Sequence, residues 1–403
     1  MKKLFYGWWI VLACFLISTY VAGIVFFGLT AFFEPLIKEF GWGYTEISFA
    51  ASLRGLEMGI FAPIIGLLAD RFGSRKLMLL GVITVGLGLI LLSLTRSILT
   101  FYAAFLLLAL GAGGCTAVVT MSIVAIWFEK NVGKAMGFMA SGMGASGVMV
   151  PVIVWLIAAY EWRTALLILG LGSFALGIPL SLVVRNHPEE YGYLPDGREP
   201  TKDDIAIGRA KPKEAAIPFR EAFKNRSFVY LNIAEAVRMM VVMGIITHVM
   251  PFLENSGISR GTAGFVAAAI PIMSIIGRLS FGWLADVFQK RYVLALGFVL
   301  MSIGALLFSY SHVYWCLVLF LLVFPPSFGG TMVMRGAIIR EYFGRDSFGK
   351  LIGTVMGAAS IGGIIGPTLA GWVFDSLGSY SFIWLAFSGF AALSTLLVLK
   401  MKQ

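Results

Sequence analysis

Long apolar segments recur along this chain and constrain its fold more than any other feature. A bilayer core about 30 Å thick is crossed by a helix of about 20 apolar residues. Twelve segments fit that length: 8–33, 45–69, 77–95, 99–127, 133–159, 163–185, 227–253, 261–286, 292–310, 313–340, 349–374 and 380–399. None alternates apolar and polar residues as barrel strands do. Because only internally hydrogen-bonded helices are stable in lipid at these lengths, we predict an all-α membrane protein with twelve transmembrane helices.

The composition excludes the soluble classes. Hydrophobic residues make up 59% of the chain and charged residues only 13%, whereas soluble domains are about a quarter charged. The net charge of +10 does not indicate nucleic-acid binding, because no soluble basic module is present. The first apolar segment is too long for a cleaved signal peptide.

The basic residues are distributed unevenly between the two sides of the predicted membrane. Of the 31 lysines and arginines, most lie at the termini, in loops after even-numbered segments or at the segment ends beside those loops, and four lie in segment interiors. Those in or directly beside loops after odd-numbered segments are Lys38, Arg96, Arg163 and Arg260. Because basic loops stay cytoplasmic, we expect a multi-pass protein of the cytoplasmic (inner) membrane with both termini inside.

The two halves of the sequence align at a constant offset of 216 residues. Asp70 corresponds to Asp286, and Pro151 corresponds to Pro367. Such a repeat predicts two pseudo-symmetric six-helix bundles. The bundles and the polar cytoplasmic linker between them are expected at 1–185, 226–403 and 186–225. The prolines and charges of this linker are typical of surface or flexible chain.

A motif after the second segment suggests a family. The segment from Gly66 to Lys76 reads GLLADRFGSRK, and GWLAD, ending at Asp286, is its weaker copy. This pattern resembles the loop motif of the major facilitator superfamily. The resemblance implies that fold, and it implies that Asp70, Arg71 and Arg75, with Asp286, form a conformational latch; snorkelling charge at the membrane surface is the alternative.

Three shorter patterns resemble one branch of this superfamily, the monocarboxylate porters and oxalate–formate antiporters. They are YGWWIV from Tyr6, the pair Gly277-Arg278, and EYFG from Glu341. In the monocarboxylate porters an arginine of the eighth helix binds the substrate carboxylate. The resemblance implies this role for Arg278.

Charged residues inside the membrane are functional candidates, because each costs at least about 2.5–3.5 kcal/mol to insert. Arg54 with Glu57, and Glu235 with Arg238, lie three residues apart, so each pair can neutralise itself on one helix face. Whether these pairs are structural or belong to a proton route stays open. Arg335 is expected to snorkel or to pair with one of the acidic residues near the membrane edge, Asp70 or Glu341.

Arg278 is the sharpest candidate. It has no carboxylate three or four residues away in its own helix, and Ser274 lies one turn before it. A guanidinium matches a carboxylate with two parallel hydrogen bonds; an interhelical ion pair is the alternative. We expect Ser274, Phe26 and His248 to contribute to the substrate site. From Gly353 to Pro367 the eleventh segment carries no second cation, which favours a monoanion.

His248 is a natural proton switch near neutral pH, although it can also be an ordinary interfacial histidine. The proton-coupling candidates are therefore His248, Glu57 and Glu235.

These observations predict a secondary transporter of small monocarboxylates resembling lactate or pyruvate, working as a proton symporter by alternating access. A carboxylate exchanger on the same fold, or a non-transporting membrane sensor, is the alternative. No nucleophile, phosphate-loop or metal-ligand pattern is found, so we expect no enzyme, catalytic residue, metal or cofactor. The expected partners are the organic anion, protons and the lipid bilayer, with a monomer as the functional unit.

Overall fold

The computed structural model describes residues 5–42, 61–197 and 219–402, and these form helices without strands. The α-helices in chain order are α1 Tyr6–Ala22, α2 Phe33–Phe40, α3 Ala62–Phe72, α4 Ser74–Ser93, α5 Ile98–Cys115, α6 Ala117–Trp127, α7 Val132–Ala145, α8 Met149–Gly172, α9 Ile178–Val183, α10 Phe219–Ala222, α11 Arg226–Asn255, α12 Arg260–Val287, α13 Lys290–Ser309, α14 Tyr314–Phe343, α15 Phe348–Leu377 and α16 Ser381–Leu399. Short π-helical segments at Gly23–Gly28 and Ser173–Gly177 follow α1 and α8.

Within the described residues, ten helical segments are long and apolar enough to cross a membrane. The segment Val132–Val183, 52 residues long, contains the fifth predicted span and all but the last two residues of the sixth. The second predicted span is described only in its last part, as α3. The prediction of an all-α membrane protein is confirmed, and the helices are consistent with twelve spans.

Large apolar side chains cover much of the helix surface. Leu99, Trp315 and Ile364 are each more than 70% exposed. Monomeric soluble proteins do not expose apolar surface on this scale, so these faces contact lipid.

The contacts divide the chain into two compact units. The first contains the described residues of Met1–Lys130, Phe138–Ala216 and Arg345–Gly353. The second contains those of Asn131–Gly137, Ile217–Gly344 and Thr354–Gln403. Each unit therefore includes a short piece of the opposite half of the sequence.

In the first unit, glycines allow α4 and α5 to approach closely. A Cβ atom at Gly111 would lie 2.7 Å from the backbone nitrogen of Val85, and one at Gly114 would lie 2.7 Å from the Leu77 carbonyl oxygen. Real side chains do not tolerate such contacts, so these positions require glycine for the helices to pack as they do.

An ion pair fixes the end of α2 in the same unit. Arg163 donates to the Glu39 carboxylate at 2.6 Å, and the Trp162 indole donates to its other oxygen at 2.7 Å. The Arg163 guanidinium thereby holds the pKa of Glu39 below its ordinary value. Glu161, just before this pair, has φ 64° and ψ 162° and interrupts α8.

The described start of the linker packs on the first unit. Arg185 lies between the rings of Tyr6 and Tyr191, at 4.1 and 3.9 Å from their centroids. The Asp196 carboxylate accepts hydrogen bonds from the backbone N–H groups of Glu129 and Lys130. This part of the linker is therefore surface structure held by cation–π and hydrogen-bond contacts.

The second unit is built around an aromatic core. Phe308 packs against Phe252 and Phe320 with ring centroids 4.7 and 4.6 Å apart. Trp384 of α16 lies 5.2 Å from Phe308 and is fully buried. These rings join α11, α13, α14 and α16 into one body.

Candidate functional site

Arg278 lies in α12, beside a place where that helix and α14 approach each other closely. A Cβ atom at Gly277 would collide with the backbone of Pro326, and one at Gly329 would collide with the Ser274 carbonyl. The two glycines bring the helix backbones together beside the arginine. Arg278 is only 3% exposed, so its charge is held within the second unit.

Two donor positions of the Arg278 guanidinium find no acceptor among the described residues. They are its Nε and Nη1 atoms, and both are buried. The Phe328 ring lies 6.0 Å from its Cζ atom, at the limit of a cation–π contact. Among the described residues, no carboxylate forms an ion pair with Arg278.

A second group of charges lies in the same unit. The Glu235 carboxylate accepts a hydrogen bond of 2.8 Å from Nε of Arg238, one turn along α11. Nη1 of Arg335, from α14, lies 3.6 Å from the same Glu235 oxygen. All three side chains are buried. The expected Glu235–Arg238 pairing is confirmed, whereas Arg335 pairs with Glu235 instead of Asp70 or Glu341.

We call Arg238, Arg278 and Arg335, together with Glu235, the arginine cluster. It contains three guanidinium groups and one carboxylate, and Arg238 repels both other arginines. Nη1 of Arg238, Nε of Arg335 and Oε1 of Glu235 are also buried and have no hydrogen-bond partner in the described part of the chain. Buried charge is stable when it is paired, so the cluster has an unmet requirement for anionic ligands.

Ser274 and His248 are occupied by protein contacts. The Ser274 hydroxyl donates to the Pro271 carbonyl at 2.6 Å. Nε2 of His248 lies 3.0 Å from the Pro367 carbonyl, and Nδ1 lies 3.1 Å from the Tyr380 hydroxyl. A carbonyl only accepts, so Nε2 carries a hydrogen and Nδ1 of a neutral ring accepts from Tyr380. His248 thereby ties α11 to α15 and to the start of α16.

The remaining predicted site residues lie elsewhere. Phe26 belongs to the π-helical segment Gly23–Gly28 of the first unit and is half-buried. The predicted contribution of Phe26 to the substrate site stays a prediction. Glu57 lies outside the described residues.

Asp70 caps the start of α15. Its two carboxylate oxygens accept from the backbone N–H groups of Gly349 and Lys350 at 2.9 and 3.0 Å. Anionic side chains are favoured at helix N-termini, where the N–H groups are otherwise unpaired. Asp70 lies beyond the second apolar segment, and its burial raises the pKa of the carboxyl to about 6.

Asp286 makes the matching contact in the second unit. Its oxygens accept from the backbone N–H groups of Gly133 and Lys134 at the start of α7, at 2.7 and 2.8 Å. The offset of 216 residues relates Asp70 to Asp286. It also relates the N–H groups that donate to them, since Gly133 corresponds to Gly349. The repeat therefore reproduces a complete interaction as well as a motif.

The two arginines of the motif have other contacts. Arg71 is exposed and lies 5.3 Å from the Phe72 ring. The backbone N–H of Arg75 donates to the Asn186 side chain at 3.0 Å. Within the described residues, neither of these two arginine side chains forms an ion pair with Asp70. Asp70 is bound by backbone N–H groups instead.

Fold, buried charge and repeated motif together define a class of membrane transporter. The sequence profile of the Major Facilitator Superfamily matches residues 15–259 and 231–402, and the chain belongs to this superfamily. Its relatives include Monocarboxylate transporter 12 of Xenopus laevis, 24% identical, with 99% of this chain and 89% of that protein covered. Monocarboxylate transporter 4 of Gallus gallus is 25% identical, with 98% and 82% covered. Both relatives are named as transporters.

Solved structures agree on the fold. The proton:xylose symporter XylE superposes with a TM-score of 0.76 at 14% identity, covering 98% of this chain and 96% of the other. The E. coli fucose:proton symporter FucP gives 0.73 at 14% identity, covering 98% of each. With the superfamily match, the relatives and the apolar helices, the chain is a multi-pass membrane transporter.

Proposed function

We propose that this protein carries small organic monocarboxylates of the lactate and pyruvate type across the cytoplasmic membrane, coupled to protons. The observation that carries the proposal is Arg278, which is buried with two guanidinium nitrogens that no described residue pairs. A carboxylate presents two oxygens in a geometry that matches a guanidinium fork. The relatives named monocarboxylate transporters support the same class of cargo.

Proton coupling follows from charge balance. Moving one net charge against the membrane potential costs about 2.3 kcal/mol per 100 mV. A monocarboxylate accompanied by one proton crosses without net charge, so a pH gradient can drive its accumulation. His248, Glu57 and Glu235 are the candidate proton carriers.

The transport cycle uses the two sequence halves and their caps. We propose that the bundles 1–185 and 226–403, joined by the linker 186–225, expose the site alternately to each side, as in other transporters built from repeats. The caps made by Asp70 and Asp286 act as latches, with Arg71 and Arg75 at the same membrane edge. Both termini are cytoplasmic, and a monomer is the working unit.

Transport in proteoliposomes tests this proposal. Uptake of labelled lactate, pyruvate, acetate and formate is measured with and without an imposed acidic outside pH. Arg278→Lys keeps the charge but loses the planar fork, so we expect uptake to fall at least about tenfold. Arg291→Lys, at the start of α13, is the matched control and retains uptake.

Full uptake by Arg278→Lys would refute the carboxylate role. Uptake that ignores the pH gradient but requires internal carboxylate would indicate exchange instead of symport.

A further inference from the structure

We propose that Glu235 is the proton-carrying group, and that its ionised carboxylate is the resident anion that the substrate carboxylate replaces in the arginine cluster. The proposal rests on the proposed function and names the residue that couples it to protons. It adds an order to the exchange: Glu235 takes up a proton when the substrate anion enters, and gives the proton back when the anion leaves.

The contacts of Glu235 place one carboxylate between two cations. Its Oε2 atom is 2.8 Å from Nε of Arg238 and 3.6 Å from Nη1 of Arg335. Its Oε1 atom is buried and has no hydrogen-bond partner within residues 5–42, 61–197 and 219–402. Glu235 is thus held on one side only, and its second oxygen is available to a proton.

No other acid competes for this role in the described part of the second unit. Arg278 of α12, Arg335 of α14 and Arg238 of α11 itself are the basic groups of the cluster. The acids of α12 and α14 are bound elsewhere: Asp286 accepts from the Gly133 and Lys134 amides, and Glu341 pairs with Lys290. Helix α15 packs against α11 through Gly362 and Gly366, and from Gly353 to Trp372 it has no ionisable residue. Helix α16 has none along its length. Of the acidic residues described, only Glu235 is fully buried.

The charge of the cluster explains why a proton and an anion bind together. An ionised Glu235 and a substrate carboxylate repel each other and compete for the same guanidinium groups. Protonation turns Glu235 into a neutral acid, which frees Arg238 and Arg335 to interact with the incoming carboxylate. Each bound monocarboxylate then brings one proton, and the total charge of the cluster is the same before and after binding.

His248 is a poorer carrier on geometric grounds. Both ring nitrogens are engaged, one by the Pro367 carbonyl and one by the Tyr380 hydroxyl, and neither contact includes a charged group. A proton added there does not change the competition for the arginine cluster.

The test separates exchange from accumulation in proteoliposomes with labelled lactate. In the wild type, an outside pH one unit more acidic drives about tenfold accumulation if one proton accompanies each anion. Glu235→Gln mimics the protonated acid permanently. We therefore expect it to retain lactate exchange, while the ratio of inside to outside lactate concentration falls to about one. Glu254→Gln, at the other end of α11, is the matched control and accumulates like the wild type.

A second variant guards against loss of folding, because removing a buried countercharge destabilises a protein. Glu235→Asp keeps a proton-accepting group and retains accumulation, with a shifted pH dependence of exchange. Infrared difference spectra on adding lactate gain a carboxylic-acid band in the wild type and not in Glu235→Gln. Tenfold accumulation by Glu235→Gln, or absence of that band in the wild type, overturns the proposal. A wild type that moves none of the carboxylates refutes the proposed function itself.

Discussion

Removing the Asp286 carboxylate measures most directly how much free energy a helix cap contributes. Asp286 receives two hydrogen bonds of 2.7 and 2.8 Å from the backbone of Gly133 and Lys134. A hydrogen bond to a charged group contributes about 1.5–3 kcal/mol. Two such bonds give at least about 3 kcal/mol, or roughly a hundredfold in an opening equilibrium. Asp286→Asn keeps one acceptor, so about half of this free energy, roughly tenfold, is expected to be lost.

Hydrogen exchange of the protein in lipid nanodiscs, followed by mass spectrometry, measures this opening. For Asp286→Ala we expect the amides at the start of α7 to exchange roughly a hundredfold faster than in the wild type. The amides of Gly349 and Lys350, capped by Asp70, serve as an internal reference and keep their rates.

Glu190→Ala, on an exposed linker residue, is the matched control and leaves both sites protected. Unchanged exchange at Gly133 and Lys134 in Asp286→Ala would show that the cap contributes no stability and would remove the basis for a latch.

Two further predictions concern the first unit. Burial raises the pKa of Asp70 from 3.8 to about 6, so the stability that this shift contributes is fully present below pH 3.8 and is lost as the pH rises through 6. The melting temperature of the wild type, relative to that of Asp70→Asn, should therefore rise on going from pH 7 to pH 5. A difference in melting temperature that does not change with pH contradicts this. Glu161 has φ 64°, a conformation that costs an L-residue about 1–3 kcal/mol. Glu161→Gly should therefore raise the free energy of unfolding by about 1 kcal/mol, whereas Glu161→Ala should not. Thermal or denaturant unfolding measures both variants.

Much of the fold follows from local sequence. The length of each apolar segment fixes a helix, and the offset of 216 residues relates the two halves before any contact is known. The Glu235–Arg238 pair could also be predicted from the sequence, because a spacing of three residues brings two side chains to one helix face. The lack of a carboxylate near Arg278 in its own helix indicated an unpaired cation.

Contacts between distant helices were not predictable in the same way. Arg335 meets Glu235 across a hundred residues of sequence, and only the packing of α11 against α14 decides that pairing over one with Glu341. The motif pointed to Asp70, but its partners are backbone N–H groups, which leave no signature in side-chain identity. The partners of His248 are likewise a carbonyl and a tyrosine far along the chain.

The reciprocal placement of the two aspartates makes each half of the polypeptide incomplete alone. The first half lends a carboxylate to α15 and receives one at α7. Separating the two halves by a cut within the linker would therefore leave two carboxylates and two helix N-termini without their hydrogen-bond partners. Reassociation of the two fragments would restore both caps at once.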